Sequence, residues 1–181
     1  LKDSTPPNLE KLPEDFFAEH GEYEGAGIRL ALKGDGVSLA PRLREVDKIE
    51  IQAVSNDDPA KLLEDAIEAN KYTYSIIFKD RPIAILGLTP YNDNVSMIWL
   101  VGSNEIVDIQ IPFLRNSLKW VKAFHELYPV LFNFVSVQNE LHIKWLKWLG
   151  FEFGKIQPEF GLNKQPFIEF YKVKEGFVCV Q

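Results

Sequence analysis

From residue 28 onward the chain reads as a series of short, well-punctuated hydrophobic patterns. Ile28-Arg-Leu-Ala-Leu32 alternates like a strand with one buried face. Leu39, Leu43 and Val46 then recur at helical spacing. Asp58-Pro59 opens a further helix, with an N-cap carboxylate and proline in the first turn. Its apolar positions are Leu62, Leu63, Ala66 and Ile67, and Asn70 is its stop. Three strands are predicted over 72–79, 82–89 and 95–101. Asp80-Arg81 and the cluster Tyr91-Asn-Asp-Asn94 supply the turns of an antiparallel meander. A long helix follows over 112–128, with Leu114, Leu118, Val121 and Tyr128 on one face, Pro112 in its first turn and a loose turn leading in from Glu105. The pattern closes with a strand over 130–137, a short helix over 140–149 and two strands over 167–173 and 177–180.

A strand, a long helix and another strand in succession call for a right-handed crossover between parallel neighbours. The expected class is therefore α/β, a mostly antiparallel mixed sheet with one parallel pair, flanked by helices. Residues 1–27 fall outside this rhythm. They hold Pro6, Pro7 and Pro13, three glycines and a run of acids, with Phe16-Phe17 as the strong apolar anchor. They read as an acidic N-terminal arm, with at most a short helix over 13–20, preceding one domain over 28–181.

Composition narrows the function classes. A formal net charge of -6 supplies no basic field for a phosphate backbone, so nucleic acid is not an expected partner. No apolar run is long enough to cross a bilayer, and no basic-then-apolar leader opens the sequence, so a soluble, cytoplasmic protein without a membrane partner is expected. Cys179 is the single cysteine, which suits a reducing compartment and a small apolar role in its strand. His20, His125 and His142 lie far apart, with no carboxylate or cysteine at ligand spacing, so no metal is expected. Ser136 belongs to no recognisable Ser-His-acid set.

The stretch "SVQNELHIKWLKWLGF" at 136–151 carries the most specific signal. A strand ends near Asn139, a tryptophan-rich helix follows, and Gly150-Phe151 closes it. Glycine supplies the positive φ that ends a helix, and the phenylalanine returns to the core. With the element order, this corner resembles the GNAT (GCN5-related N-acetyltransferase) superfamily, in which the last helix begins after an asparagine and ends in Gly-Phe at this spacing. The wording of "LAPRLREVDKIEI", "FLRNSLKWV" and "KWLKWLGF" is similar to a GNAT-like phage family, described as internal virion protein A or Gp13-like.

The resemblance implies the acyl-CoA N-acyltransferase fold, with the parallel strands splayed at their C-terminal ends. It also implies acetyl-CoA as cofactor, bound by backbone groups at Leu100, Val101, Gly102 and Ser103 together with Asn139. The sequence departs from the family pattern in two places. The family's glycine-rich diphosphate loop is replaced by "VGSNEIVDIQIPFLRN", with Gly102 alone, carboxylates at Glu105 and Asp108, no N–H at Pro112, and Arg115 about one turn on. Where the family carries a general-acid tyrosine stands Leu146.

No catalytic residue is therefore assigned, and weak or absent acetyl-CoA binding is expected. The apolar positions of the last helix, either Leu141, Trp145 and Trp148 or Leu146 and Leu149, are expected to pack it on the sheet. The function expected is that of an N-acetyltransferase-like protein acting on a small-molecule or peptide amine. The alternative is a non-catalytic phage virion or morphogenesis protein, with phage or host proteins as partners, in the host cytoplasm or the virion.

Overall fold

The computed structural model describes residues 26–177. Most of the acidic arm with His20, and Cys179 with nearly all of the strand expected over 177–180, lie outside them. One sheet of seven strands organises the chain, in the order β1-β2-β3-β4-β5-β7-β6. The strands are β1 Ala26–Leu30, β2 Thr73–Phe78, β3 Arg81–Pro90, β4 Val95–Gly102, β5 Val130–Ser136, β6 Glu152–Phe160 and β7 Gln165–Val173. Between them run α1 Asp35–Leu39, α2 Glu45–Val54, α3 Pro59–Ala69, α4 Gln110–His125 and α5 Glu140–Trp148. The meander β2-β3-β4 is antiparallel, as expected, and β4 and β5 are parallel.

Local chemistry explains several boundaries. Asp58 caps α3 by accepting from the N–H groups of Ala60 and Lys61. Gly150, at φ 78°, ends the last helix, and Lys172 Nζ donates to the carbonyls of Leu149 and Gly150 at 2.8 and 3.1 Å.

Three expectations need correction. Leu39, Leu43 and Val46 do not share one helix. The chain leaves helical geometry at Leu43 and Arg44, where ψ is 141° and 148°. Leu43 bridges to Ser103 and Arg44 N–H donates to Gly102 O, so the link is stitched to the end of β4 before α2 begins.

On α4 the buried stripe is Phe113, Ser117, Trp120, Val121 and Phe124, whereas Leu114 and Leu118 are 38% and 47% exposed. Two sets at i, i+4 and i+7 compete on this helix, and the one holding the larger aromatic area is buried. Lastly, β6 follows α5 directly. It is an edge strand with mostly exposed, polar positions, so it lacks the alternation that marks a half-buried strand.

Side chains pack on both faces of the sheet. One face buries Tyr74, Ile76, Leu86 and Leu100 against Trp120, Phe124 and Leu146. The other buries Ile85 with Leu39, Leu43 and Leu63, flanked by Ile51, Trp99 and Val101. Each fully buried side chain of this size contributes about 1.5–3 kcal/mol, so both layers are held firmly enough to position what lies between them.

Candidate functional site

β4 and β5 pair only from Val95↔Val130 to Met97↔Phe132 and then diverge. Asn133, on β5, spans the opening with a 2.9 Å bond from Nδ2 to Ile98 O. Beyond it lies a cavity of about 540 Å³. Its walls come from both helix layers: Ile51, Leu62 and Ala66 on α2 and α3, and Trp120, Trp145, Leu146 and Leu149 on α4 and α5. Trp99, Phe132, Phe134 and Phe160 add aromatic faces. Few polar side chains reach it, among them Glu50, Asn133 and His142.

Glu50 and His142 meet through Asn139. The buried Asn139 caps α5, its Oδ1 accepting from His142 N–H at 3.3 Å. Its Nδ2 donates to Glu50 Oε1 at 3.0 Å, and Ser136 N–H donates to the same oxygen at 3.2 Å. Burial pushes the Glu50 carboxyl up to about 7; the Asn139 bond opposes this and the nearby charge of Asp47 adds to it. Burial, with help from the positive charge of Arg44, lowers the His142 imidazole to about 3. The His142 ring is partly accessible because it fronts the cavity. It is nonetheless flanked by the rings of Trp145 and Phe170, with centroids at 5.3 and 6.4 Å, so it remains neutral.

The residues expected at the end of β4 divide into two groups. Leu100 and Val101 line the cavity. Gly102 and Ser103 lie just past it and are engaged by the chain itself. Gly102 N–H donates to Asp47 Oδ2 at 2.8 Å, and its carbonyl accepts from Arg44 N–H at 2.9 Å. Asp47 is fully buried and gripped by the Arg44 guanidinium through two bonds of 2.8 and 2.9 Å. Burial pushes the Asp47 carboxyl up against that pairing.

Ser103 N–H donates to Ile83 O at 2.8 Å. Ser103 then caps a 3-10 helix, Asn104–Ile109, taking Glu105 N–H on its hydroxyl and Ile106 N–H on its carbonyl. A Cβ on Gly102 would meet Ile106 Cδ1 at 2.4 Å and Ala84 Cβ and Ile83 O at 3.2 Å, so a side chain there would displace the end of Ile106.

Glu105 turns away from solvent into a pair of cations, Arg42 and Arg81. Burial tends to raise its carboxyl, but the bonds and charges of the two arginines outweigh it and hold the group below the ordinary range. Asp108 is exposed.

In α5, Leu146 and Leu149 are buried, and Trp145 packs on Phe113 at 5.2 Å while its Nε1 donates to Ser117 Oγ. Leu141 and Trp148 are 71% and 52% exposed, so of the first expected stripe only Trp145 packs, beside Leu146 and Leu149 of the second. Among the described residues no group of three or more His, Cys, Asp or Glu is arranged to hold a metal ion. No helix among them is long and apolar enough to cross a membrane.

Glu50 and His142 stand in no catalytic or metal-ligand motif of the sequence. Asp47 and Glu50, three apart among Val46, Ile49 and Ile51, were the available signal: two acids on a helix face that has to be buried.

A splayed parallel pair in a seven-stranded mixed sheet, with α4 as the crossover, is the GNAT N-acetyltransferase fold, and comparison with solved structures agrees. The chain is similar to Ard1 from Thermoplasma volcanium, at 10% identity and a TM-score of 0.65, over 82% of this chain and 97% of that one. It is similar to a GNAT superfamily phosphinothricin acetyltransferase from Sinorhizobium meliloti, solved with acetyl-CoA, at 13% identity and a TM-score of 0.64, over 86% and 92%. It is also similar to the ribosomal-protein-S5-alanine acetyltransferase from Vibrio fischeri, at 14% and 0.61, over 87% and 97%. Residues 84–157, from β3 to β6, match the profile of the family described as "Bacteriophage T7, probable scaffold protein Gp13". By sequence, no curated protein matches the chain.

Proposed function

We propose that this chain is an acetyltransferase-like protein on the GNAT fold that binds acetyl-CoA weakly or not at all and serves a phage as a structural or morphogenesis component. One observation carries the reading. The N–H groups of Gly102, Ser103, Glu105 and Ile106 all have acceptors within the chain. A diphosphate at a strand-to-helix turn is held by such donors when they are free, together with nearby cations. Here Asp47 takes the Gly102 donor, and Arg42 and Arg81 are committed to Glu105. The residues present do not fit a diphosphate, so no step through coenzyme A is derived. Leu146 has no proton to give. The Gp13 profile, whose description names a scaffold protein, supports a structural role with virion or host proteins as partners.

A second reading, an enzyme acting on a small-molecule or peptide amine, is favoured by Glu50. A carboxyl tuned to about 7 inside an apolar cavity suits a general base.

Calorimetry with acetyl-CoA at physiological salt tests the first reading, alongside a thiol-release assay on polyamines, amino acids and peptides. The expected result is a Kd weaker than about 0.1 mM, under about 5.5 kcal/mol of binding, with turnover at background. Sub-micromolar binding or substantial turnover would move the assignment to the enzyme.

A further inference from the structure

We infer that the outer side of α4 is the docking face for the acidic segment of this same chain that carries Phe16-Phe17, held within one molecule by apolar contact and by charge. The inference goes beyond both function readings and depends on neither.

The face itself comes first. Ile111, Leu114 and Leu118 stand at i, i+3 and i+7 of α4 and therefore share one side of the helix. They are 49%, 38% and 47% exposed, and Val107, in the turn leading into α4, is 61% exposed. Seating α4 on the sheet uses the separate stripe of Phe113, Ser117, Trp120 and Phe124, which leaves this second apolar row at the surface. A contiguous row of this kind marks an interaction site, whereas single exposed leucines do not.

Charge selects the occupant. α4 carries Arg115, Lys119 and Lys122 on its exposed surface and no acid along Gln110–His125. Residues 1–25, which lie outside the described ones, hold seven acids against Lys2 and Lys11, with Leu9, Leu12, Phe16 and Phe17 among them. The segment matches the face in both respects, with apolar side chains for the leucine row and carboxylates for the cations. A second copy pairing α4 on α4 would bring its own cations to the same place, and like charges oppose that arrangement.

Topology puts the two within reach. Ala26, where the segment joins the sheet, pairs with Phe78, and Phe78 pairs with Arg81. Arg81 is bonded to Glu105, in the turn that leads into α4. Two strand spacings, about 10 Å, separate Ala26 from Arg81. Ala26 and Ile28 also pack into the same core cluster as Phe113 and Trp120, so Ala26 faces the layer that holds α4. The nine residues from Phe17 to Ala26 extend to about 30 Å at most, and the 16 residues of α4 span about 24 Å. Phe16-Phe17 therefore reaches the row. A tether this short gives an effective concentration of about a millimolar, so a weak contact suffices to populate the docked state.

The test is paramagnetic relaxation in amide spectra of the full chain, with Cys179→Ser and a nitroxide attached through Ala18→Cys. The amides of Ile111, Leu114, Arg115 and Leu118 should broaden, and about tenfold dilution should leave the effect unchanged because the contact is within one chain. Salt at about 1 M, where the screening length is about 3 Å, should reduce the effect at least about twofold. Leu114→Glu with Leu118→Glu should abolish it. So should Phe16→Ser with Phe17→Ser, a pair that leaves α4 as it is and so serves if the first does not fold. Broadening that is absent, that falls on other elements, or that survives the substitutions would overturn the proposal. Loss of the effect on dilution would overturn it too and give the face to a second copy.

Discussion

Asn139 Nδ2 lies 3.0 Å from Glu50 Oε1, fastening the corner that starts α5 to a carboxylate 89 residues earlier in the chain. The same asparagine caps the helix carrying His142, so the two titratable groups of the cavity are held in one frame. Their responses to pH are opposed.

Glu50 binds its proton more tightly when folded, near 7 against an ordinary 4.5, so its contribution to stability falls as pH rises between those values. The shift corresponds to about 3 kcal/mol at most. His142 refuses a proton when folded until about pH 3, whereas the unfolded chain accepts it near 6.5, so its contribution falls as pH drops through that window. His125, also lowered by burial, acts in the same direction as His142. Wild type should therefore show a shallow profile between pH 4.5 and 6.5. Between pH 4.5 and 6.5 Glu50→Gln should gain stability with rising pH more steeply than wild type, and His142→Gln should have a more negative slope than wild type. Urea unfolding across pH checks both slopes, and parallel profiles for the two variants would contradict the assignment.

Leu146, on the face of α5 that packs against the core, is 3% exposed. Leu146→Ala should cost about 2–5 kcal/mol by chemical denaturation, because a packed side chain is removed and a void is left. A loss under 1 kcal/mol would mean that this face of α5 is not seated on the sheet.

Asp47 joins Arg44 to the Gly102 amide while fully buried. Asp47→Ala leaves a guanidinium and an amide without their acceptor and should destabilise by about 3–5 kcal/mol. Hydrogen exchange should show the Gly102 amide losing protection more than its neighbours on β4. An unchanged Gly102 amide would rule out the proposed tie.

Gly161 and Gly176 have similar φ values, 67° and 78°, in different surroundings. A Cβ on Gly161 would sit 2.0 Å from Ala53 O, the carbonyl that accepts from Leu162 N–H, whereas nothing lies within 4 Å of one on Gly176. Gly176→Ala should cost about 1 kcal/mol, the conformational penalty alone. Gly161→Ala should cost at least about 2 kcal/mol and loosen the β6–β7 turn from α2, seen as faster exchange at Leu162. Equal costs would mean the contact with α2 carries no weight.

Much of this architecture was legible along the chain because the signals are local. An N-cap aspartate before a proline fixes where α3 starts, and Gly150 fixes where α5 stops. Short apolar runs bounded by turn residues mark strands that are buried in the sheet, so β2, β3, β4, β5 and β7 could be placed. The crossover through α4 then required β4 and β5 to be parallel. Edge strand β6 was invisible because an edge in solvent needs no apolar face.

What the sequence by itself determined is most of the elements, their order and the single parallel pair, since turns, caps and periodicity act over a few residues and at close range. What only the tertiary structure decided is the identity of the site. Glu50, Asn139 and His142 are brought together by α2 and α5 packing beside the opening between β4 and β5, and the Gly102 amide meets Asp47 only after the chain breaks at Leu43 and Arg44. A carboxylate's partners and its proton affinity depend on burial and on neighbours far along the chain. No spacing along the sequence encodes those contacts, because they exist only once the two helix layers have closed on the sheet.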